Sequence, residues 1–509
     1  MNVTQLIYES ALRRPEKPAV TFEGVPWTYA AFSRQIERYA GALHTLGVQA
    51  GDRVAFQLPK GMEFLFLHFA ALALGAISLP LNPDYQPEEV HYFLTDSESG
   101  FFITNRDCHQ RARAYLRDIA GMQVLLVDGE QEGAAALSRA LDAGPVEGLL
   151  RPFAAQGGET AMICYTSGTT GRSKGAMITH ENLISNSRAL AQAWQWTDQD
   201  RLLHVLPLFH VHGLNVAMLG SLLAGASVCM HEKFTPARAW KAIAAERCTM
   251  LMAVPTIYQR LVNEWETMET KPDLATMRVF ISGSAPLSDN LFKRFEELTG
   301  FRILERYGMS ETAMNTSNLI DPAGRKAKSV GFPLPGISIR VVGQNGLDAP
   351  PGTVGEVWIK GPNVFAGYWQ MPEKTRESFE GQYFKSGDLG YLDAPDDNRL
   401  YLVGRSKELI ISGGYNVYPK EIENVLESHA AVRESAVVGL PDEDFGERVT
   451  AVAVLKEGAS VTAQELTAFC KSRLAGYKCP KQILFMETLP RNAMGKLQKN
   501  ILAEDLKAR

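Results

Sequence analysis

A chain of 509 residues exceeds one ordinary domain and is long enough for two or three, each with a sizeable core. With 45% hydrophobic and 21% charged residues it is globular rather than disordered, and a formal net charge of -5 argues against general nucleic-acid binding while leaving room for a local basic cleft. Six cysteines (Cys108, Cys164, Cys229, Cys248, Cys470 and Cys479) are scattered with neither C-x-x-C spacing nor a neighbouring histidine cluster, which implies a reducing, cytoplasmic compartment and no structural zinc. The N-terminus lacks the basic segment and long apolar core of a secretory signal. The most apolar region, Phe64 to Leu81, is divided by Gly75 and a turn at Pro80-Leu81-Asn82-Pro83, so no membrane span is expected.

In chain order, the pattern predicts a helix over Thr4 to Leu12, a strand near Ala19 to Phe22, and a helix from Thr28 to Leu46 stopped by Gly47. Strands at Arg53 to Leu58, Ala76 to Leu79, Gly100 to Ile103 and Val124 to Val127 continue an α/β alternation, with a helix from Met62 to Leu74. Gly133 to Gly158 reads as a surface excursion. The apolar run Ala161 to Cys164 then delivers Tyr165-Thr166-Ser167-Gly168-Thr169-Thr170-Gly171-Arg172-Ser173-Lys174-Gly175, small and hydroxylated residues expected between a strand and the next helix. Free backbone N–H groups and the Lys174 charge make this a phosphate loop, although its glycines do not fall as in the P-loop NTPases. Taken alone it is also compatible with a Ser/Gly-rich surface loop.

A strand at Arg201 to Leu206 leads into Pro207 to Leu214, where open sheets present ligands, with His210 and His212 as acid/base groups or pocket walls. The strand Met277 to Ile281 delivers Ser282-Gly283-Ser284-Ala285-Pro286, and Glu305 to Thr312 reads as a third polar loop. Three such loops point to a composite ligand cleft. After Gly331 the texture becomes one of short alternating strands in a β-rich subdomain carrying Ser386-Gly387-Asp388 and Gly404 to Glu408. From there a separate unit of about a hundred residues is expected, with helices at Pro419 to Ser428 and Thr462 to Arg473.

These motifs, with Pro490 to Lys496, resemble the adenylate-forming superfamily of acyl-CoA synthetases, adenylation domains and luciferases over essentially the whole chain. Ser173, Ser310 and Ser386 stand where proline, threonine and threonine are commoner in that superfamily. The resemblance implies an α/β protein in which residues 1–404 form a large AMP- and acyl-binding domain of stacked α/β subdomains plus a β-rich subdomain. Residues 405–509 would form a small mobile α+β domain turning on a hinge near Lys407.

The implied activity is ATP-dependent ligation of a carboxylic acid to coenzyme A through an acyl-adenylate, releasing AMP and pyrophosphate. By resemblance Thr166, Ser167, Gly168, Thr169, Thr170, Gly171 and Lys174 hold phosphates, and Gly283, Ser284, Ala285, Tyr307, Gly308, Asp388 and Arg405 hold adenosine. Glu311 would hold Mg2+, Lys496 would neutralise charge in the transition state, and Ser412, Gly413 and Gly414 would line the coenzyme A path. No carrier domain follows residue 509, which favours coenzyme A over a carrier-protein arm.

The run Glu305 to Asn318 is similar to the malonyl-CoA synthetases, implying malonate, and methylmalonate, as the acid, with Arg306 beside Ser284 and His210 reading the second carboxylate. The alternatives are a synthetase for another short, medium or aromatic acid, and a nucleotide-binding regulatory protein. A protein lysine acyltransferase acting on Lys496 is a further implied partner.

Overall fold

The computed structural model describes residues 1–142, 157–166, 173–412, 415–442, 444–492 and 496–507. Two large sheets and one small sheet carry the chain. The first runs Gly367–Tyr368, Lys174–Thr179, Thr160–Thr166, Ile77–Leu81, Arg53–Gln57, Phe101–Thr104, Gln123–Leu126 and Ala135–Ala136 from edge to edge. It is parallel apart from the two strand pairs at its first edge. Pro80 lies within its strand rather than in a turn, paired with Phe56; the parallel run is continued by buried Leu79 and Leu81.

The second sheet carries the parallel strands Ser227–Met230, Arg201–His204, Met250–Ala253, Val279–Ser282 and Leu304–Met309. Its order then reverses hand. Leu304–Met309 turns tightly into antiparallel Ala313–Ser317, which passes through Ser329–Pro333 to Arg399–Arg405, Tyr383–Asp393, Gly355–Lys360 and Ser338–Val342. The expected β-rich part is thus continuous with the second sheet, because the short hairpin after Met309 allows direct backbone pairing where a crossover helix would have separated them.

The core between the two sheets is built on aromatic rings such as Phe32, Phe66 and Phe69, with Leu65, Leu72, Leu214 and Met218 packed around them. A second cluster, centred on Trp240, Phe280 and Phe295, fixes the outer helices Pro236–Ala245, Pro255–Thr267 and Asp289–Thr299. Its helices start where the sequence supplies caps: Ser288 accepts from the Leu291 amide and Thr235 from that of Arg238.

The small sheet contains Tyr415–Val417, Ile410–Ser412, Gly446–Leu455, Val432–Asp442 and Gln482–Phe485. Strand alternation divides its two faces. Val437, Val449, Ala451 and Ala453 meet the helices Pro419–Glu427 and Ala463–Lys471, whereas Ala436, Val438, Val452 and Val454 meet a final helix, Lys499–Lys507. The sequence pattern did not indicate that last helix. The large and small units together form the two-part α/β and α+β architecture expected. Among the described residues no helix is long and apolar enough to cross a membrane.

One irregularity matters for the site. The segment after Arg201–His204 winds as a π-helix over His212–Leu219 before one α turn at Gly220–Leu223. Gly213 permits it, since a β-carbon there would lie 1.9 Å from the Pro207 carbonyl oxygen. Gly213→Ala is therefore expected to cost about 1–3 kcal/mol, read as a lowered thermal midpoint, and to displace the neighbouring His212.

Candidate active site

The strands that flank the expected phosphate loop pair antiparallel with each other, so it does not lead from a strand into a helix. Thr166 pairs with Lys174 across antiparallel strands, and the helix begins only at His180 behind a Thr179 capping box. The residues after Lys174 continue in the sheet, with Ala176 and Ile178 buried, so no helix terminus adjoins Lys174. Ser167, Gly168, Thr169, Thr170 and Gly171 lie outside the described residues. The hairpin's base is held by Tyr165, which donates to Asp96 at 2.6 Å, and by Tyr92, which donates to the Ser173 carbonyl at 2.7 Å. Thr166 Oγ1 turns back to the Lys174 carbonyl at 3.4 Å.

Lys174 reaches from the hairpin over the ring of Tyr368, 4.5 Å from its centroid, and the Tyr368 hydroxyl donates to Glu311 Oε1 at 3.1 Å. Burial lowers the Lys174 pKa, with Lys374 and Lys407 adding to it and Glu311 opposing. Burial raises that of Glu311. Glu311 is one carboxylate, and among the described residues no three His, Cys, Asp or Glu side chains cluster as a metal cage. That donor set fits a magnesium ion that keeps water and substrate phosphate oxygens as its other ligands.

Glu305 to Met309 is strand rather than polar loop, buried through Tyr307, and its pleat sorts the site. On one face Tyr307 donates to Asp388 Oδ2 at 2.6 Å, while Arg405 meets Asp388 Oδ1 at 3.1 Å. The Asp388 amide donates to Ser386 Oγ, and that hydroxyl donates to the Val357 carbonyl. Gly308 is required at the following bulge, since a β-carbon would meet the Ala313 carbonyl oxygen at 1.9 Å.

Arg306 faces the other way and is 2% exposed. None of its three guanidinium nitrogens has a hydrogen-bond partner among the described residues. Burial draws its pKa down to about 9, which leaves it charged at neutral pH. Gly283 lies against this guanidinium: a β-carbon there would sit 2.4 Å from Arg306 Cζ. Ser284, held at φ +68°, shares a 3.1 Å hydrogen bond with His212 Nδ1. His210 stands between charges: burial pulls its pKa to about 4, aided by Lys496 and then Arg306. His212, also pushed well down by burial and Arg306, keeps a buried and unpartnered Nε2.

Sequence reading singled out His210 and left His212 ambiguous; it missed Tyr368 and Tyr258, the latter close enough to act electrostatically on Arg306. A tyrosine in a Gly-Tyr-Trp run carries no local sign of such a role. Gly283, expected on the adenosine side, lies against Arg306, while Ser284, expected on both the adenosine and the acyl side, bonds to His212 beside that guanidinium.

The small unit brings Lys496 to this cleft. Burial lowers the Lys496 pKa, Arg405 adds to it, and Asp388, Glu408 and Glu311 oppose. Its backbone N–H donates to Asn492 Oδ1 at 2.9 Å. Lys407 lies exposed in the 3-10 turn Ser406–Glu408, between the second large sheet and the small one. Ser412 is buried in its strand, and Gly413 and Gly414 lie outside the described residues.

Residues 7–369 match the family model of AMP-binding enzymes, and residues 421–496 match that of the AMP-binding enzyme C-terminal domain. The chain belongs to the AMP-binding enzyme family. Within it, this chain is an AMP-forming acyl-CoA ligase. It is 40% identical to MatB from Rhodopseudomonas palustris, whose ATP-bound crystal structure covers 100% of this chain and 99% of its own at a TM-score of 0.91. The apo structure of the same protein matches at a TM-score of 0.81. Among curated relatives, the oxalate–CoA ligase of Arabidopsis thaliana is 34% identical over 98% of this chain and 97% of its own. The mitochondrial malonate–CoA ligase of Homo sapiens is 33% identical over 92% and 86%.

Glu305, the neighbour of Arg306, is buried with Oε1 accepting from the Leu287 amide at 3.0 Å and Oε2 unpartnered. Burial raises its pKa from 4.5 to about 8. The folded chain then keeps a proton that the unfolded chain releases, so this group makes stability fall as pH rises from 4.5 to 8. Glu305→Gln, which preserves shape without the titration, should flatten that decline; thermal midpoints of both proteins across the interval measure it.

Proposed function

We propose that this chain activates malonate, and methylmalonate, with ATP and transfers the acyl group to coenzyme A. The supporting observation is Arg306: a buried guanidinium whose three nitrogens have no partner among the described residues is costly unless a substrate anion completes it. Malonate retains a second carboxylate after its first becomes an anhydride. Relatives named for oxalate, sulfoacetate and malonate share that chemistry, each acid keeping an anion beyond the activated group. The neutral histidines beside Arg306 add hydrogen-bonding capacity without a second positive charge.

In the first half-reaction a carboxylate oxygen attacks the α-phosphorus of ATP, the bond to the β-phosphate bridging oxygen breaks, and pyrophosphate leaves. Two anions must approach. Lys496 lies between Asp388, Glu311 and His210, where its ammonium would offset the charge shared by carboxylate and α-phosphate. Lys174 and the hairpin hydroxyls would hold the departing phosphates, and Asp388 with Arg405 would fix the ribose, Tyr307 standing beside them. A magnesium ion on Glu311 would supply charge stabilisation on the phosphate oxygens.

In the second half-reaction the thiol of coenzyme A attacks the acyl carbonyl and AMP leaves. Residues 405–509 would rotate about Lys407 between the two steps, withdrawing Lys496 and bringing Ser412, Gly413 and Gly414 to the thiol path. Acylation of Lys496 by a protein acyltransferase would remove its charge and stop the first step. The free cysteines suit a cytoplasmic setting.

Pyrophosphate release measured across acetate, butyrate, benzoate, malonate, methylmalonate and succinate should favour malonate; equal turnover of butyrate defeats the substrate assignment. Arg306→Met should lose about 2–4 kcal/mol of transition-state stabilisation for malonate, roughly 30- to 1000-fold in kcat/KM, with the KM for ATP little changed. Lys496→Ala should slow adenylate formation by about 100- to 1000-fold while still converting supplied malonyl-adenylate to the thioester.

A further inference from the structure

Tyr368 touches both charged groups of the nucleotide side. Its ring carries the Lys174 ammonium and its hydroxyl holds Glu311 Oε1, while its own burial is satisfied elsewhere. The ring packs edge-on against Phe365 at 4.8 Å between centroids, within a cluster that includes Phe384 and Ala176. Its backbone is fixed by pairing with Ala176 and by an amide bond to Thr375 Oγ1 at 2.9 Å. Neither anchor uses the hydroxyl. A phenylalanine would fill the same space, so packing alone does not account for an O–H directed at a buried carboxylate.

We propose that Tyr368 is a positioning residue that sets Lys174 and Glu311 at a fixed separation before the nucleotide arrives. The ring face holds the Lys174 ammonium and leaves its N–H donors that point away from the ring for phosphate oxygens. The hydroxyl occupies one lone pair of Glu311 Oε1 and holds the carboxylate plane, leaving Oε2 for the cation. Backbone bonds tie the same segment to both partners: the Phe365 amide donates to the Glu311 carbonyl and the Trp369 amide to that of Gly175. One short edge strand, Gly367–Tyr368, thereby couples the strand carrying Lys174 to the acidic residue in the turn between Leu304–Met309 and Ala313–Ser317 of a different sheet. This inference rests on the reading that Lys174 and Glu311 serve ATP and magnesium.

The two contacts separate by substitution. Tyr368→Phe keeps the ring and removes the hydroxyl; Tyr368→Leu removes both. Calorimetric titration of ATP into each protein, without acid or coenzyme A, with magnesium and with EDTA, reads the effects apart from turnover. Tyr368→Phe should bind ATP in EDTA as the parent does and lose about tenfold of the affinity that magnesium adds. Tyr368→Leu should in addition lose affinity in EDTA. Thermal midpoints should distinguish this from unfolding, with Tyr368→Phe melting as the parent. An undiminished magnesium gain in Tyr368→Phe overturns the inference. Failure of the parent protein to bind ATP at all instead overturns the reading on which it rests.

Discussion

A charged guanidinium enclosed in protein with no hydrogen-bond partner among the described residues is the constraint around which this cleft is arranged. Arg306 can sit there only because its surroundings give way to it: Gly283 has no β-carbon to collide with it, and the two histidines stay neutral beside it. The desolvation cost is carried by the rest of the fold, chiefly the apolar cluster joining the two large sheets. An incoming dianion would recover part of that cost, making the same residue a source of instability when empty and of selectivity when filled.

The α/β alternation was readable because buried parallel strands are short apolar runs between helices of 3.6 periodicity, and Arg53–Gln57, Phe101–Thr104 and Met250–Ala253 obey that rule. Glu305-Arg306-Tyr307 broke it. Polar side chains usually mark loops, and here they occupy a buried strand because the site needs them there. The strand from Lys174 to Thr179 was obscured for the opposite reason: Gly175 and Thr179 flank a run too short to separate strand from helix by period alone. The family resemblance marked Asp388 and Lys496, and the position beyond a strand end marked His210, but neither could show that Tyr368, in another strand, would meet both Lys174 and Glu311. That contact depends on the pairing of Tyr368 with Ala176, a long-range register no local pattern contains.

The small unit contributes one lysine to the cleft, and the electrostatic setting of that lysine belongs to the large unit. Asp388 and Glu311 favour the Lys496 charge while burial and Arg405 oppose it. Moving the small unit therefore changes more than the reach of a side chain. It removes a cation from a place where acids and an arginine had been balanced against it, including the neighbourhood of His210.

The pleat of Leu304–Met309 has a consequence for how such a ligase diversifies. Adjacent residues of one strand address different compartments, Arg306 toward the pocket with Gly283 and His212 and Tyr307 toward Asp388 and Arg405. A replacement at position 306 alters the chemistry of one compartment while the backbone that aims Tyr307 stays in register. On the proposed reading of Arg306, substrate range would then change one residue at a time without disturbing the nucleotide side, because neighbouring positions of the strand point to opposite faces.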